Sequence, residues 1–177
     1  MKEYDLIVIG SGAGLSFASR ARNKGTKVAL IENGPMGGTC LNRGCIPSKI
    51  LTYPAEMVRT INKSRDIGVN ATVESLDFDL VRKRMWSLIL PDREGIESGV
   101  KKDDGLDLYR TTGYFAAPYT IQVNDELIKA PRIVLACGVR SHVPNVPGLE
   151  ENGYLLSETV FDITHLPKSL VILGGGY

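Results

Sequence analysis

The sequence predicts an α/β fold: a parallel sheet with an antiparallel meander attached to it. Three observations predict it. A short apolar run, residues 4–9 (YDLIVI), leads straight into a glycine cluster at Gly10, Gly12 and Gly14. A second apolar run, residues 27–31, comes one helical segment later and ends at Glu32. From Leu106 onward the hydrophobic period changes from helical to alternating.

Short apolar runs bounded by turn residues are the mark of strands buried on both faces of a parallel sheet. Residues 10–14 then make a turn, and residues 15–23 read as a helix. Phe17, Ala18 and Ala21 form its apolar face, and Gly25 stops it. The strand at 27–31 completes a βαβ opening. Residues 33–44 read as a glycine-rich loop. A helix is expected from near Pro47, because proline suits a first helical position, with a break or kink at Pro54. Asp77 is placed to cap a further long helix, with Leu80, Val81, Met85, Leu88 and Ile89 on one face and a bend or interruption at Pro91.

The alternating stretch divides into short strands at 106–110, 113–116, 120–123 and 126–129, with Asn124-Asp125 as the last turn. Residues 132–137 read as another buried strand, followed by Gly138. Residues 141–148 carry Pro144 and Pro147 and read as an extended linker. Residues 169–173 are apolar and run into Gly174, Gly175 and Gly176, which resembles a second start of the opening motif. The chain is therefore expected to be part of a longer protein.

Composition narrows the function. The 177 residues carry 21 basic and 20 acidic side chains, a net charge of +1. That balance offers no electrostatic footprint for nucleic acid or for an acidic membrane. No run reaches the roughly 18 apolar residues of a membrane span. The first residues include Lys2, Glu3 and Asp5 and do not read as a secretory signal, so a cytoplasmic location is the expectation. Three cysteines in such a chain do not suggest a disulfide scaffold.

The first motif is the glycine turn. Glycines after a strand and before a helix let a phosphate approach backbone N–H groups at the helix N-terminus. The pattern is GxGxG rather than GxGxxG, since Leu15 stands where the third glycine belongs. Glu32 lies about 20 residues on, at the end of the second strand, where a carboxylate accepts hydrogen bonds from ribose hydroxyls. A plain βα turn with a solvated glutamate is the competing reading.

The second motif spans residues 37–49, GGTCLNRGCIPSK. Cys40 and Cys45 can close a disulfide. As a staple it would be weak, about 2 kcal/mol for so short a loop. A redox role uses the spacing better. Cys45 lies just before the expected helix start, where unpaired N–H groups and the helix dipole favour a thiolate. Lys49 falls on the same helical face if the helix reaches back to Cys45. Such surroundings bring a thiol pKa from about 8.5 toward 3.5–7.5. Cys40, in the loop, is then the more open thiol. Zinc would want further cysteines or histidines, and the chain offers Cys137, His142 and His165. An iron–sulfur pattern would want a cysteine where Ser48 stands. Metal and inert buried thiols stay as competing readings, with metal not expected.

Residues 37–49 resemble the redox motif of the class I pyridine nucleotide–disulfide oxidoreductases, which include dihydrolipoamide dehydrogenase, glutathione reductase, mercuric reductase and mycothione reductase. The resemblance extends along the whole chain. It implies an FAD/NAD(P)-binding Rossmann-like domain with a parallel sheet and an antiparallel β-meander. The FAD-binding part would cover 1–150, a connection 151–168, and the start of an NAD(P)-binding domain 169–177. It implies that Cys45 forms the charge-transfer thiolate with FAD, that Cys40 exchanges with a dithiol or disulfide substrate, and that Lys49 sits beside the flavin ring. FAD contacts would come from Gly10, Gly12, Ala13, Gly14, Glu32, Asn33, Gly38, Thr39, Cys45 and Lys49. Further contacts would come from Gly113 and Tyr114 in a segment resembling the adenine support.

Ala136, Cys137 and Gly138 would also contribute, where Cys137 replaces the family's usual threonine. As a plain residue Cys137 reads as a small buried hydrophobe. Tyr53, Trp86 and Tyr109 read as packing residues. Leu41-Asn42 and Pro47-Ser48-Lys49 favour the dihydrolipoamide dehydrogenase type, with a lipoyl group as substrate and NAD or NADP as second cofactor. The resemblance places the family's His–Glu pair outside this chain, in an interface domain acting across a homodimer. The chain alone is therefore expected to be inactive.

Overall fold

The structure is a computed structural model that describes residues 1–175. Its elements follow in chain order. β1 (Lys2–Glu3) and β2 (Leu6–Ile9) precede α1 (Ala13–Arg22) and β3 (Val28–Ile31). Three helices come next: α2 (Gly38–Arg43), α3 (Cys45–Lys63) and α4 (Phe78–Lys101). Then come β4 (Leu106–Tyr109), β5 (Gly113–Ala117), β6 (Thr120–Val123), β7 (Glu126–Lys129), β8 (Ile133–Leu135) and the short α5 (Leu149–Asn152).

Two four-stranded sheets result. One is wholly parallel in the order β4-β3-β2-β8. The other is the antiparallel meander β5-β6-β7, with β1 added parallel to β7. This is the expected α/β architecture. The central strands β2 and β3 show why their sequences are continuously apolar. Ile7, Ala29 and Ile31 pack toward the meander against Ile121, Val123 and Ile128. Their neighbours Val8, Val28 and Leu30 pack the other way, against Ala18 of α1, Met36 and Val100 of α4. Successive side chains point to opposite faces, and both faces are covered.

Several expectations are corrected. Residues 38–43 are helical, not loop. Leu41 pays for that turn of helix by packing on Met85 and Ile89 of α4. α1 begins at Ala13 rather than Leu15, and Phe17 is 58% exposed; Ala18 is buried and Ala21 partly buried as expected, with Gly14 joining them on that face. α3 and α4 run through Pro54 and Pro91 without ending. A proline inside a helix costs about 3 kcal/mol, and the packing of α3 on α4 through Ile50, Leu51, Met85, Trp86 and Ile89 opposes it. Leu80 and Leu88 are exposed, so the buried face of α4 is narrower than the sequence suggests. Asp77 caps α4 as expected, accepting from the Leu80 N–H at 2.9 Å.

The strand at 106–109 belongs to the parallel sheet beside β3, not to the meander. β8 is an edge strand and only partly buried, with Leu135 exposed, so the buried reading of 132–137 does not hold. Residues 169–173 form no strand, and Leu170 to Leu173 are exposed. A strand needs a neighbour to take its backbone hydrogen bonds, and the described residues place none beside them. Gly176 of the expected triple glycine lies outside the described residues.

Candidate functional site

In open α/β sheets, ligands bind beyond the carboxyl ends of the parallel strands. The candidate residues gather there. Gly10 follows β2, Glu32 follows β3, and Ala136, Cys137 and Gly138 follow β8.

The glycine turn is shaped by close approaches. Gly10 has φ +102°, and a Cβ there would lie 2.1 Å from the Ala136 carbonyl oxygen. Gly14 packs α1 onto the sheet, where a Cβ would meet Val8 Cγ1 at 2.8 Å and Ala136 Cβ at 3.0 Å. Gly14 thus provides the close helix–strand contact that the sequence pattern assigns to the position of Leu15. Gly12 precedes α1 with no side-chain cap, and the first turn, beginning at Ala13, has no acidic residue. Its N-terminal N–H groups can receive an anion. Bare backbone, a glycine cradle and an uncapped helix end fit a dinucleotide pyrophosphate.

Ser11 was missed by sequence reasoning. It is fully buried, and its Oγ and N–H both donate to Glu32 Oε2, at 2.7 and 2.8 Å. Its Oγ also accepts from the Gly37 N–H at 3.1 Å. The Gly34 N–H donates to Glu32 Oε1 at 2.7 Å. The Glu32 carboxylate is therefore held in place at the strand end, with lone pairs left for a further donor. Arg110, at the end of β4, donates to the carbonyls of Glu32 and Gly34 at 3.0 and 2.6 Å and ties down the same loop. The sequence signal for Ser11 is slight: a small hydroxyl residue inside the glycine turn.

The redox motif packs directly on this turn. Gly38 has φ +63°, and a Cβ on it would lie 2.4 Å from Gly12 Cα. Thr39 and Cys40 follow in α2. Cys40 lies in a helix rather than the expected loop, and Cys45 is the first residue of α3. Because α3 does reach back to Cys45, Lys49 lies one turn on along the same face. No side chain caps α3 and no acid lies in its first turn, so the positive helix end meets Cys45.

Cys40, Cys45 and Cys137 are free thiols, and all three are exposed. Exposure of Cys137 corrects the buried reading; it follows an edge strand that the described residues leave open. A hydrogen bond to Cys45 lifts the Cys40 thiol above the ordinary thiol range. Partial desolvation and Cys45's charge add to this, while the Cys45 N–H and Lys49 act against it.

Other candidates lie further out. Asn33 is exposed and donates to Thr112 Oγ1 at 3.0 Å. Gly113 opens β5, where a Cβ would meet Ile121 Cγ2 at 2.9 Å and Ile31 Cδ1 at 3.1 Å. That is a packing requirement between the sheets, next to Glu32. Tyr114 is 67% exposed, and Gly138 has φ +73° with open space around it. Tyr109 packs edge-on to Tyr4 and shares a hydrogen bond with it at 2.7 Å, as a packing residue should. Tyr53 is exposed and does not pack. No described helix is long and apolar enough to cross a membrane.

Residues 4–177 match the family model described as pyridine nucleotide-disulphide oxidoreductase. A dihydrolipoyl dehydrogenase of Acholeplasma laidlawii is 36% identical over 187 residues, covering 99% of this chain and 54% of the relative. A mercuric reductase of Bacillus cereus is 35% identical over 176 residues, covering 99% of this chain and 28% of the relative. A mycothione reductase of Mycobacterium tuberculosis is 34% identical over 185 residues, covering 100% and 40%. The chain thus spans between about a quarter and about a half of the length of these relatives. Among solved structures, the HOCl-induced flavoprotein disulfide reductase RclA from Escherichia coli superposes with a TM-score of 0.77 at 26% identity, covering 93% of this chain and 35% of that one. The chain belongs to the pyridine nucleotide–disulphide oxidoreductase family, and FAD with NAD or NADP are the cofactors that membership implies for the intact protein.

Proposed function

We propose that the intact protein passes electrons between a small dithiol or disulfide, the Cys40–Cys45 pair, FAD and a pyridine nucleotide, with a dihydrolipoyl group as the favoured substrate and NAD as acceptor. The carrying observation is the placement of Cys45 at the uncapped start of the 19-residue α3, with Cys40 five residues earlier in α2 and both thiols free and exposed.

In the oxidised pair, a substrate thiolate attacks Cys40 Sγ. The Cys40–Cys45 bond breaks, and Cys45 leaves with the electron pair as thiolate. The second substrate thiol then attacks the substrate sulfur bound to Cys40, and its proton passes to the departing Cys40 sulfur. A substrate disulfide forms, Cys40 is released, and the pair is reduced by two electrons. A leaving thiolate is favoured where a helix N-terminus and a lysine stabilise it, and Cys45 has both. FAD, when bound, would accept the electron pair and pass it on as hydride.

In this reading Gly10, Gly12, Ala13 and Gly14 hold the pyrophosphate, Glu32 holds the adenosine ribose, and Gly38, Thr39 and Lys49 line the flavin. Residues 1–150 form the FAD part, 151–168 the connection and 169–177 the start of the NAD(P) part. The intact protein is a cytoplasmic homodimer.

Leu41-Asn42 and Pro47-Ser48-Lys49 support the lipoyl substrate; mercuric ion or a mycothiol-type disulfide with NADPH is the competing choice. Assaying the intact protein with dihydrolipoamide and NAD, with mercuric ion and NADPH, and with mycothione and NADPH decides among them. Turnover with dihydrolipoamide is expected to exceed the others by at least about tenfold, since a dedicated site differs from a tolerant one by at least about 1.4 kcal/mol. Faster turnover with either competitor overturns the lipoyl assignment.

A further inference from the structure

Asn42 lies two residues after Cys40 and three before Cys45, yet it is buried, at 4% exposure. A buried primary amide is unfavourable unless its donors and acceptor are all satisfied. Here they are. Asn42 Nδ2 donates to the carbonyls of Met36 at 2.9 Å and Gly38 at 2.8 Å, with Pro35 further off at 3.4 Å. Its Oδ1 accepts from Arg93 Nε at 2.8 Å. Three carbonyls face the nitrogen and one N–H faces the oxygen, so the partners fix the amide's orientation.

Arg93 comes from α4, 51 residues along the chain, and its guanidinium also stands over the Trp86 ring at 6.0 Å. The donor is a guanidinium, so its bond to Asn42 is charge-assisted.

α2 has six residues, too few to hold its own shape. Leu41 anchors it on Met85 and Ile89, but apolar contact has no direction. The Asn42 amide supplies direction. It fixes Gly38, the first residue of α2 and the one that abuts Gly12. At the other end Gly44 joins α2 to α3, and a Cβ on it would lie 3.0 Å from the Thr39 carbonyl oxygen and 3.4 Å from Cys40 Cα. A tilt of α2 therefore moves Cys40 relative to Cys45.

We propose that Asn42 and Arg93 form a positioning joint that clamps α2 between α4 and the 35–38 loop and so sets the placement of Cys40 against Cys45. It rests on the reading of these cysteines as the redox pair, and neither residue touches the reacting sulfurs. The joint separates into two halves. Asn42→Asp keeps the acceptor for Arg93 but turns an oxygen toward the three carbonyls. Arg93→Ala removes the α4 half, and Arg93→Lys restores a charged donor.

The experiment uses the intact protein loaded with FAD, reduced with dithiothreitol. Iodoacetamide modification of Cys40 is followed by mass spectrometry across a pH series, with circular dichroism checking the fold. The titratable groups acting on Cys40 are Cys45 and Lys49, both from α3. Released from Cys45, Cys40 should react with a midpoint shifted down toward that of an ordinary thiol. Its rate at fixed pH should rise on the order of fivefold, the factor one net hydrogen bond represents. Asn42→Asp and Arg93→Ala should both show this, and Arg93→Lys should fall between Arg93→Ala and wild type. If Asn42→Asp does not fold, the two Arg93 variants decide.

Folded variants with the wild-type midpoint and rate would overturn the joint. A separate outcome tests the reading beneath it: diamide should close a Cys40–Cys45 disulfide in the wild type. Failure to close it removes the redox reading, whereas a closed disulfide with unchanged variants removes the joint alone.

Discussion

Gly12 and Gly38 meet backbone to backbone, so the turn that opens α1 and the residue that opens α2 form one unit. Gly38 adopts φ +63°, and any Cβ on it would lie 2.4 Å from Gly12 Cα and 2.9 Å from Gly12 N. The turn fit for a pyrophosphate and the helix carrying Cys40 are therefore fitted against each other at this contact, beside the Gly37 N–H bond to Ser11 Oγ.

Gly38→Ala tests that contact. The new methyl group meets main chain, which cannot rotate away, and the residue needs a left-handed backbone. The strain alone costs about 1–3 kcal/mol, and overpacking adds to it. Urea unfolding should show a lower midpoint, and FAD affinity of the intact protein should fall. A variant with unchanged midpoint and affinity would show that the two glycines need not touch.

Glu32→Ala should weaken FAD binding in the intact protein. A hydrogen bond to a charged group contributes about 1.5–3 kcal/mol, so affinity should drop by at least about tenfold. Ser11→Ala should produce a smaller loss, because Ser11 holds Glu32 through its Oγ at 2.7 Å. Flavin fluorescence on release measures both. Equal affinity for wild type and Glu32→Ala would remove Glu32 from the ribose site.

Cys40 and Cys45 should differ in the reduced, FAD-loaded protein. Cys40→Ser should keep a long-wavelength thiolate-to-flavin absorption band, and Cys45→Ser should lose it, since Cys45 stands at the helix start. A band that survives in Cys45→Ser alone reverses the two roles.

The raised Cys40 thiol gives a pH test. A group with a raised pKa holds its proton to higher pH, so alkylation of Cys40 should require more alkaline conditions than an ordinary thiol. Because Cys45 is the main cause, Cys45→Ala should shift the alkylation profile of Cys40 down. An unshifted profile would mean that the two thiols do not meet.

Met85→Ala should destabilise the fold by about 2–5 kcal/mol, the cost of a cavity left by a fully buried methionine. Met85 lies beneath Leu41, so the loss should also raise the susceptibility of 38–45 to proteolysis. Stability lowered by less than about 1 kcal/mol would mean that the site collapses around the change.

The sequence by itself determined whatever depends on near neighbours. The strands β2 and β3, the glycine turn, Glu32 at its strand end and the Cys40–Cys45 spacing are all local, and so is the Asp77 cap. Each follows from backbone freedom, hydrophobic period or capping chemistry within a few residues. Tertiary structure alone decided what depends on a distant partner. A run rich in glycine around Gly37 and Gly38 carries no helical signal, yet 38–43 is helical because Leu41 and Asn42 find Met85 and Arg93 on α4. Pro54 and Pro91 stay within helices because α3 and α4 pack on each other. The strand at 106–109 joins the parallel sheet because its backbone partners are Val28 to Ile31, which no local pattern names. Ser11 links Glu32 to Gly37 across 21 and 26 residues of sequence. A hydrogen bond's partner is set by where the chain returns in space, and a one-dimensional period does not carry that information.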